Sequence, residues 1–310
     1  FVEKILKYNK NYFFNMRITL ISLIAFFAFS VQAGDADVAK KNLLSRMTEN
    51  LSSSLNNMFE GEGDTEIKIS TGEQYKPEFS IMVVRPLAVH PGVDAWFVQL
   101  QLNDTKIRGK ARLSTNTGIG YRKLSESKNS FTGANLFFDY DEKGNTRASL
   151  GLELRSSAFE VIGNYYRGIS SGKTVGDYTE RTLDGSEITI VGEIPYLPWA
   201  NIVANTYEWK ANKNSKNSKG DKLSLELILT QNFVVDVGFD DNNISGNNNF
   251  ARIMFVYPPR ERVAATTNLV GKKAFSQVDM SDELLSKVRR SNKQAIESEG
   301  TGVVISRLIE

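Results

Sequence analysis

The chain has 310 residues, no cysteine, one histidine, and 38 basic against 36 acidic residues, for a net charge of +2. Without cysteine there is no disulfide framework, thiolate metal site or cysteine nucleophile. The balanced charge supplies no field for gripping a nucleic-acid backbone, and the length allows one large domain or two ordinary ones.

Arg17 is followed by an apolar run from Ile18 to Phe29, then by Ser30-Val31-Gln32-Ala33 ahead of Gly34. A basic start, a short apolar stretch and a small residue at the cut read as a secretory signal cleaved between Ala33 and Gly34. The run falls short of the roughly 20 apolar residues that a membrane-spanning helix needs. Met16 reads as the initiator, with residues 1–15 as upstream translation and residues 16–33 as the signal peptide. Residues 34–62 are expected to hold a short periplasmic helix from Asp35 to about Phe59. In it Leu44, Met47, Leu51, Leu55 and Met58 form one apolar stripe. Asp35 or Asp37 can cap its start, and Gly61 and Gly63 end it.

From Thr65 to Tyr257 the period becomes two. Leu150, Leu152 and Leu154 alternate with Gly151, Glu153 and Arg155, and Leu223 to Leu229, Phe233 to Phe239 and Ala251 to Tyr257 repeat the pattern. Breaks such as Pro91-Gly92, Asn103-Asp104, Lys143-Gly144-Asn145, Asp184-Gly185 and the polar tract 212–220 separate the runs. The expected strands number twelve, beginning near Ile67, Phe79, Trp96, Ala111, Phe131, Thr146, Phe159, Glu187, Ala200, Leu223, Phe233 and Phe250.

A soluble sandwich also alternates. Three features favour a membrane barrel over residues 63–258: the export signal, strands of bilayer-crossing length, and aromatic residues at strand ends (Trp96, Tyr121, Tyr140, Tyr165, Tyr207, Trp209, Tyr257) where interfacial girdles sit. On its polar face, Gly118, Gly120, Gly133, Gly151 and Gly238 are expected to keep a lumen open or let something pass close to the wall. After Pro258-Pro259 the chain is charged, and Ser281 to about Glu299 predicts a helix capped by Asp279 or Ser281 and stopped at Gly300. Residues 259–310 therefore read as a linker and helical tail.

No catalytic, cofactor-binding or metal-binding residues emerge, and the chain does not read as an enzyme. His90 beside Pro91-Gly92 reads as an exposed turn residue, since one histidine cannot build a multi-histidine site or an oriented triad. Asp139 to Gly144 starts like a calcium loop, but Lys143 holds a ligand position and Leu150 stands where the closing glutamate belongs. It reads as an acidic hairpin turn. Gly118-Ile119-Gly120 lacks the helix that a phosphate loop needs. The residues expected to face the lumen are Arg112, Asn116, Gly118, Gly120, Gly133 and Asn135 in the first half, and Arg147, Glu153, Arg155, Glu226, Asp236 and Arg252 in the second. Their charges are expected to pair in a solvated network. On this assignment Leu152→Arg should damage assembly and Glu153→Gln should be tolerated.

Several segments resemble the inverse autotransporter barrel of the intimin and invasin family. Asn116 to Arg122 is similar to its N-x-G-x-G-x-R strand, and Gly133 to Asp141 to its G-x-N-x-F-x-D-x-D strand. Arg147 to Gly151 follows as an Arg-x-x-Leu-Gly strand. Asn164 to Arg167, Glu180 to Gly185 (with Thr182 in place of the usual proline) and Ile194 to Pro198 then resemble further family segments in order, and Val288 to Asn292 resembles part of its linker. The resemblance implies a twelve-stranded antiparallel transmembrane β-barrel in the outer membrane of a Gram-negative bacterium, with both barrel ends in the periplasm. It also implies a linker that re-enters the lumen and displays the C-terminal segment, with a possible adhesin role. Implied partners are outer-membrane lipid, the barrel-assembly machinery, periplasmic chaperones and an unidentified host or cell-surface partner, with the chain expected to be a monomer. The alternative is a passenger-less outer-membrane channel or structural barrel plugged by its own tail.

Overall fold

Alternating side chains force the two faces of each strand into different surroundings, and here the faces resolve as a closed wall. The computed structural model describes residues 62–72, 78–107, 110–211, 216–259, 263–275 and 277–298. The expected signal peptide, the expected helix from Asp35 to Phe59 and the residues after Ser298 lie outside them.

Twelve strands form the wall: β1 (Thr65–Gly72), β2 (Glu78–His90), β3 (Asp94–Ile107), β4 (Lys110–Leu124), β5 (Ser130–Asp141), β6 (Thr146–Ser156), β7 (Phe159–Gly168), β10 (Asp184–Ile194), β11 (Leu197–Lys210), β12 (Ser218–Ile228), β13 (Phe233–Asn242) and β14 (Gly246–Tyr257). Each pairs antiparallel with its neighbour, and β1 closes the ring on β14 with Thr65 opposite Tyr257 and Gly72 opposite Phe250. Closure leaves no open edge along the paired length, which a lipid environment demands. All twelve expected strands are present. Between β7 and β10 the chain leaves the wall as β8 (Lys173–Val175) and β9 (Tyr178–Thr182), and a tail strand, β15 (Ile296–Ser298), completes this small sheet in the order β15-β9-β8.

The register places the start of β1 and the end of β14 at one end, here called the base. The opposite rim carries β8 and β9. Outward positions are apolar and exposed, as at Leu136, Phe138, Leu150, Leu152, Leu154, Ile188 and Ile202, while inward ones are polar and buried, as at Asn116, Asp139, Arg147 and Glu153. That is the inverse of a water-soluble sheet. Trp96 and Tyr121 stack outward at 4.9 Å between ring centroids, and Tyr140 and Tyr165 are exposed.

Tyr207 and Trp209 depart from the expected girdle. Both are buried, packed inside with Tyr166, Leu183 and Ala295. The register explains it: Trp209 lies opposite Gly185, whose missing side chain leaves the space its ring occupies. The expected helical tail also departs. Only Asp282–Leu285 makes a 3₁₀ turn, and at Ser286 the chain turns extended, with φ −71° and ψ 160°. A helix, about 10–12 Å across with its side chains, would satisfy its own amides; this segment instead gives them to the wall.

Candidate functional site

After β14 the chain runs beneath the base. Ala265 donates its amide to the Ile228 carbonyl at 2.9 Å, Gly271 to Tyr196 at 2.8 Å, and Met280 to Lys128 at 2.8 Å. Asp279 accepts bonds from the Ser281 hydroxyl and amide, which hold its carboxyl below the usual carboxylate range. Met280 and Leu284 then pack against Ala95, Leu124 and Phe131, and the chain turns up into the lumen.

At the bottom of the lumen, Arg122 is fully buried. Its Nε donates to Glu153 at 2.7 Å, and its Nη1 donates to the carbonyls of Leu284 and Ser286 at 2.9 and 2.5 Å. The Phe97 ring lies 4.5 Å from the guanidinium carbon. Arg155 shares Glu153 at 2.9 Å and donates to the Ser286 hydroxyl and the Lys287 carbonyl. Lys287 reaches Glu66 at 2.6 Å.

At mid-height the tail meets its densest contacts. Val288 gives its amide to Gln99 at 2.8 Å. Arg289 lies between Glu160 at 2.8 Å and Glu226 at 2.9 Å. Asp139 receives Arg290 from the tail and Arg147 from β6 at 2.8 and 2.7 Å, and Asn116 donates to Asp139 and to the Asn292 carbonyl. Ser291 gives its amide to Tyr166 at 2.7 Å and Glu187 at 2.8 Å, while Arg147 donates to the Ser291 and Lys293 carbonyls. The bonds of Arg289, Arg290, Arg147, Asp139 and Glu187 are charge-assisted and buried or part-buried, where geometry decides whether the pairs offset their desolvation.

Near the far rim, Lys293 pairs with Glu78 and Gln294 donates to the Asn145 carbonyl. Leu183 gives its amide to Ala295, and Ile296 to Ser298 pair antiparallel with Thr182 to Glu180. A bidentate bridge from Arg112 to Glu180, at 2.6 and 2.9 Å, ties β9 back to the wall. Residues 286–298 thus run from base to rim inside the barrel.

Of the residues singled out in the sequence, Arg112, Asn116, Arg147, Glu153, Arg155 and Glu226 point inward. The last five touch the tail or a side chain that does, and Arg112 is linked to it through Glu180 of β9, the strand that pairs with β15. Asp236 and Arg252 pair with each other at 2.7 Å on the opposite wall, where a cavity of about 120 Å³ separates them from the tail. Asn135 is buried over Gly151 beside Asn164. The glycines do not hold the lumen open. Phe137 covers Gly118, Phe97 covers Gly120, and Arg122 and Glu153 cover Gly133. The charge network is not one of wall residues alone, because the tail supplies Arg289, Arg290 and Lys287 to it. Glu153 is wedged between Arg122 and Arg155, which argues against the expected tolerance of Glu153→Gln.

Residues the sequence reading passed over include Arg122, Asp139, Tyr166, Glu187, Arg289 and Arg290. A signal existed for five of them, since Arg122, Asp139, Tyr166, Arg289 and Arg290 all fall inside the segments that resemble the family. His90 is exposed at the base, 2.6 Å from Asp94. Asp141 accepts from the amides of Lys143 and Asn145, so the turn after β5 is closed by its own carboxylate.

Among known families, the inverse autotransporter β-domain matches residues 25–292. A solved membrane-protein chain, described as "Unveiling the Mechanism Behind the in-meso Crystallization of Membrane Proteins", aligns over 76% of this chain and 99% of its own. Its TM-score is 0.61 and its identity 19%, which shows a shared fold. A KdgM porin aligns over 62% of this chain and 98% of its own at 8% identity and a TM-score of 0.43. The outer membrane phospholipase A from Escherichia coli aligns over 63% and 95% at 8% identity and a TM-score of 0.39. No curated protein matches the chain.

Proposed function

The chain belongs to the inverse autotransporter β-domain family, translocation barrels of the Gram-negative outer membrane and not an enzyme class, and from that premise we propose that this barrel exports its own C-terminal segment and anchors it at the cell surface. The observation that carries the reading is the threaded tail. Residues 286–298, at roughly 3.3 Å each, cover about 40 Å, more than the roughly 30 Å of hydrocarbon they have to cross. Eight strands leave an interior just filled by side chains and sixteen leave an open channel; twelve suit one extended chain with a lining around it.

On this reading the base faces the periplasm and the β9 rim faces outward. Residues 16–33 are a signal cut between Ala33 and Gly34, 34–62 a periplasmic element, 63–258 the barrel and 259–310 the linker and tail. The assembly machinery and periplasmic chaperones act on the barrel before it reaches the membrane. Adhesion to a host or neighbouring cell would belong to whatever the tail presents.

A native sequence without cysteine gives a clean test. Leu308→Cys is expected to react with an impermeant maleimide on intact cells. Labelling that requires an opened outer membrane would instead support a structural barrel plugged by its own tail, a reading favoured by the buried ion pairs between tail and wall.

A further inference from the structure

Large apolar side chains cluster outside the wall, in the segment that runs beneath the base. Leu269, Val270, Phe275 and Val278 are exposed within ten residues of one another, with Leu269 and Val270 at 64% and 63%. Nothing in the fold of this segment needs them outside, since Ala264 already supplies its buried contact with Ile228, Val234 and Met254. Lys272 and Lys273 are exposed between them, and neither is ion-paired among the described residues.

The position of this segment is set by the turn between β10 and β11 at the base. Gly271 donates its amide to the Tyr196 carbonyl, Tyr196 donates its own to Ala274 at 2.9 Å, and the Trp199 indole donates to Leu269 at 2.9 Å. Tyr196 occupies the turn between β10 and β11. There the outward apolar column of Ile188, Ile190 and Ile202 reaches the base, and Tyr196 is itself exposed. The segment therefore continues the outward apolar face, and adds two cations at its base end.

We propose that residues 269–275 form an interfacial anchor for the phospholipid leaflet around the base, with Leu269, Val270 and Phe275 entering the acyl boundary and Lys272 and Lys273 meeting lipid phosphates. Amphipathic helices with apolar side chains on one face and lysines on the other bind at this depth, and this non-helical segment carries the same two kinds of side chain. Lysine stems can lie along the apolar layer while their ammonium groups stay among the headgroups. A second copy of the chain is the competing occupant. The charges argue against it, because a symmetric contact would bring each pair of lysines toward its like. The anchor would also fix the point from which the tail turns back into the lumen, whichever way that tail finally faces.

The test uses the full chain refolded into vesicles of phosphatidylethanolamine and phosphatidylglycerol, with Phe275→Cys carrying an environment-sensitive dye. Leu136→Cys on the wall is the lipid control, and Ser245→Cys in the turn between β13 and β14 is the aqueous one. Phe275→Cys should emit to the blue of Ser245→Cys and lose at least half its emission to a nitroxide placed high on the lipid acyl chain, with little loss to iodide. Adding Lys272→Glu and Lys273→Glu should shift the emission back to the red and reduce that quenching. Iodide quenching equal to that of Ser245→Cys would overturn the proposal. So would dye-to-dye contact between chains that persists when the protein is diluted in lipid, which would make the face a contact between copies. Heat-modified gel mobility identifies the folded fraction, so a variant that fails to assemble is not read as one that fails to bind lipid.

Discussion

Arg290 of the tail meets Asp139 of β5 at 2.8 Å although 151 residues separate them, and both side chains are fully removed from solvent. Asp139 also holds Arg147, so one carboxylate answers two guanidinium groups.

That arrangement makes the two partners unequal under mutation. Asp139→Asn leaves two buried arginines without their counter-charge, and breaking a buried pair in this way costs about 3–5 kcal/mol. Arg290→Met removes one cation while Asp139 keeps Arg147, so it should cost clearly less. Urea unfolding of refolded barrels in detergent measures the difference. Equal losses for the two variants would mean that Arg147 does not depend on Asp139 for its counter-charge.

The glycines of β4 allow a second paired comparison. A methyl group at Gly120 would collide with the Phe97 ring, and one at Gly118 with Phe137. Overpacking of this kind costs about 1–3 kcal/mol, so Gly120→Ala should lower stability and loosen the contact between Phe97 and Arg122. Gly163→Ala on β7 has nothing within 4 Å of the added carbon and should be neutral. The same urea titration separates them, and a neutral Gly120→Ala would show that Phe97 is free to move aside.

The twelve strands were legible in the sequence because alternation is a local property: Leu150, Leu152 and Leu154 declare their face without help from distant residues. Tyr207 and Trp209 were not, because an aromatic at a strand end suits either a girdle or a lumen. Only their register against Glu187 and Gly185 decides between the two. The tail failed for a related reason. Ser281 to Glu299 has helical composition, but Gln99, Asn116, Tyr166 and Arg147 lie more than a hundred residues away and take the backbone groups that a helix would have used. Inward polarity was readable for Arg112, Arg147 and Glu153. The partner filling the space between them was not, since spacing says nothing about what threads a lumen.

Adjacent residues on β6 should respond in opposite ways to their two environments, yet both should be sensitive. Leu152 is 60% exposed on the outer face, and Leu152→Arg puts a charge against lipid at about 2–4 kcal/mol near mid-bilayer. Assembly yield into vesicles should fall, and more in thick bilayers than in thin ones. Glu153→Gln leaves Arg122 and Arg155 buried beside a neutral amide, so its loss should appear in the folded barrel as lower unfolding resistance that bilayer thickness does not change. A thickness-dependent loss for Glu153→Gln would mean that the inward face is misassigned.

The pairing of β15 depends on a strut on the far side of β9. β15 pairs with β9, and β9 is held by Glu180, whose carboxylate is fully buried between Arg112 and Asn145. Arg112→Met should therefore release β9 and with it residues 296–298, while the contacts of Arg290 and Ser291 lower in the lumen persist. Hydrogen exchange reads this directly. The amides of Leu183 and residues 296–298 should exchange much faster, whereas those of Val288 and Ser291 should keep their protection. Exchange that rises evenly along the tail would show the plug leaving as one unit, with β9 contributing nothing of its own. Protection that stays unchanged at residue 296 would mean that the paired strands hold each other without the Arg112–Glu180 bridge.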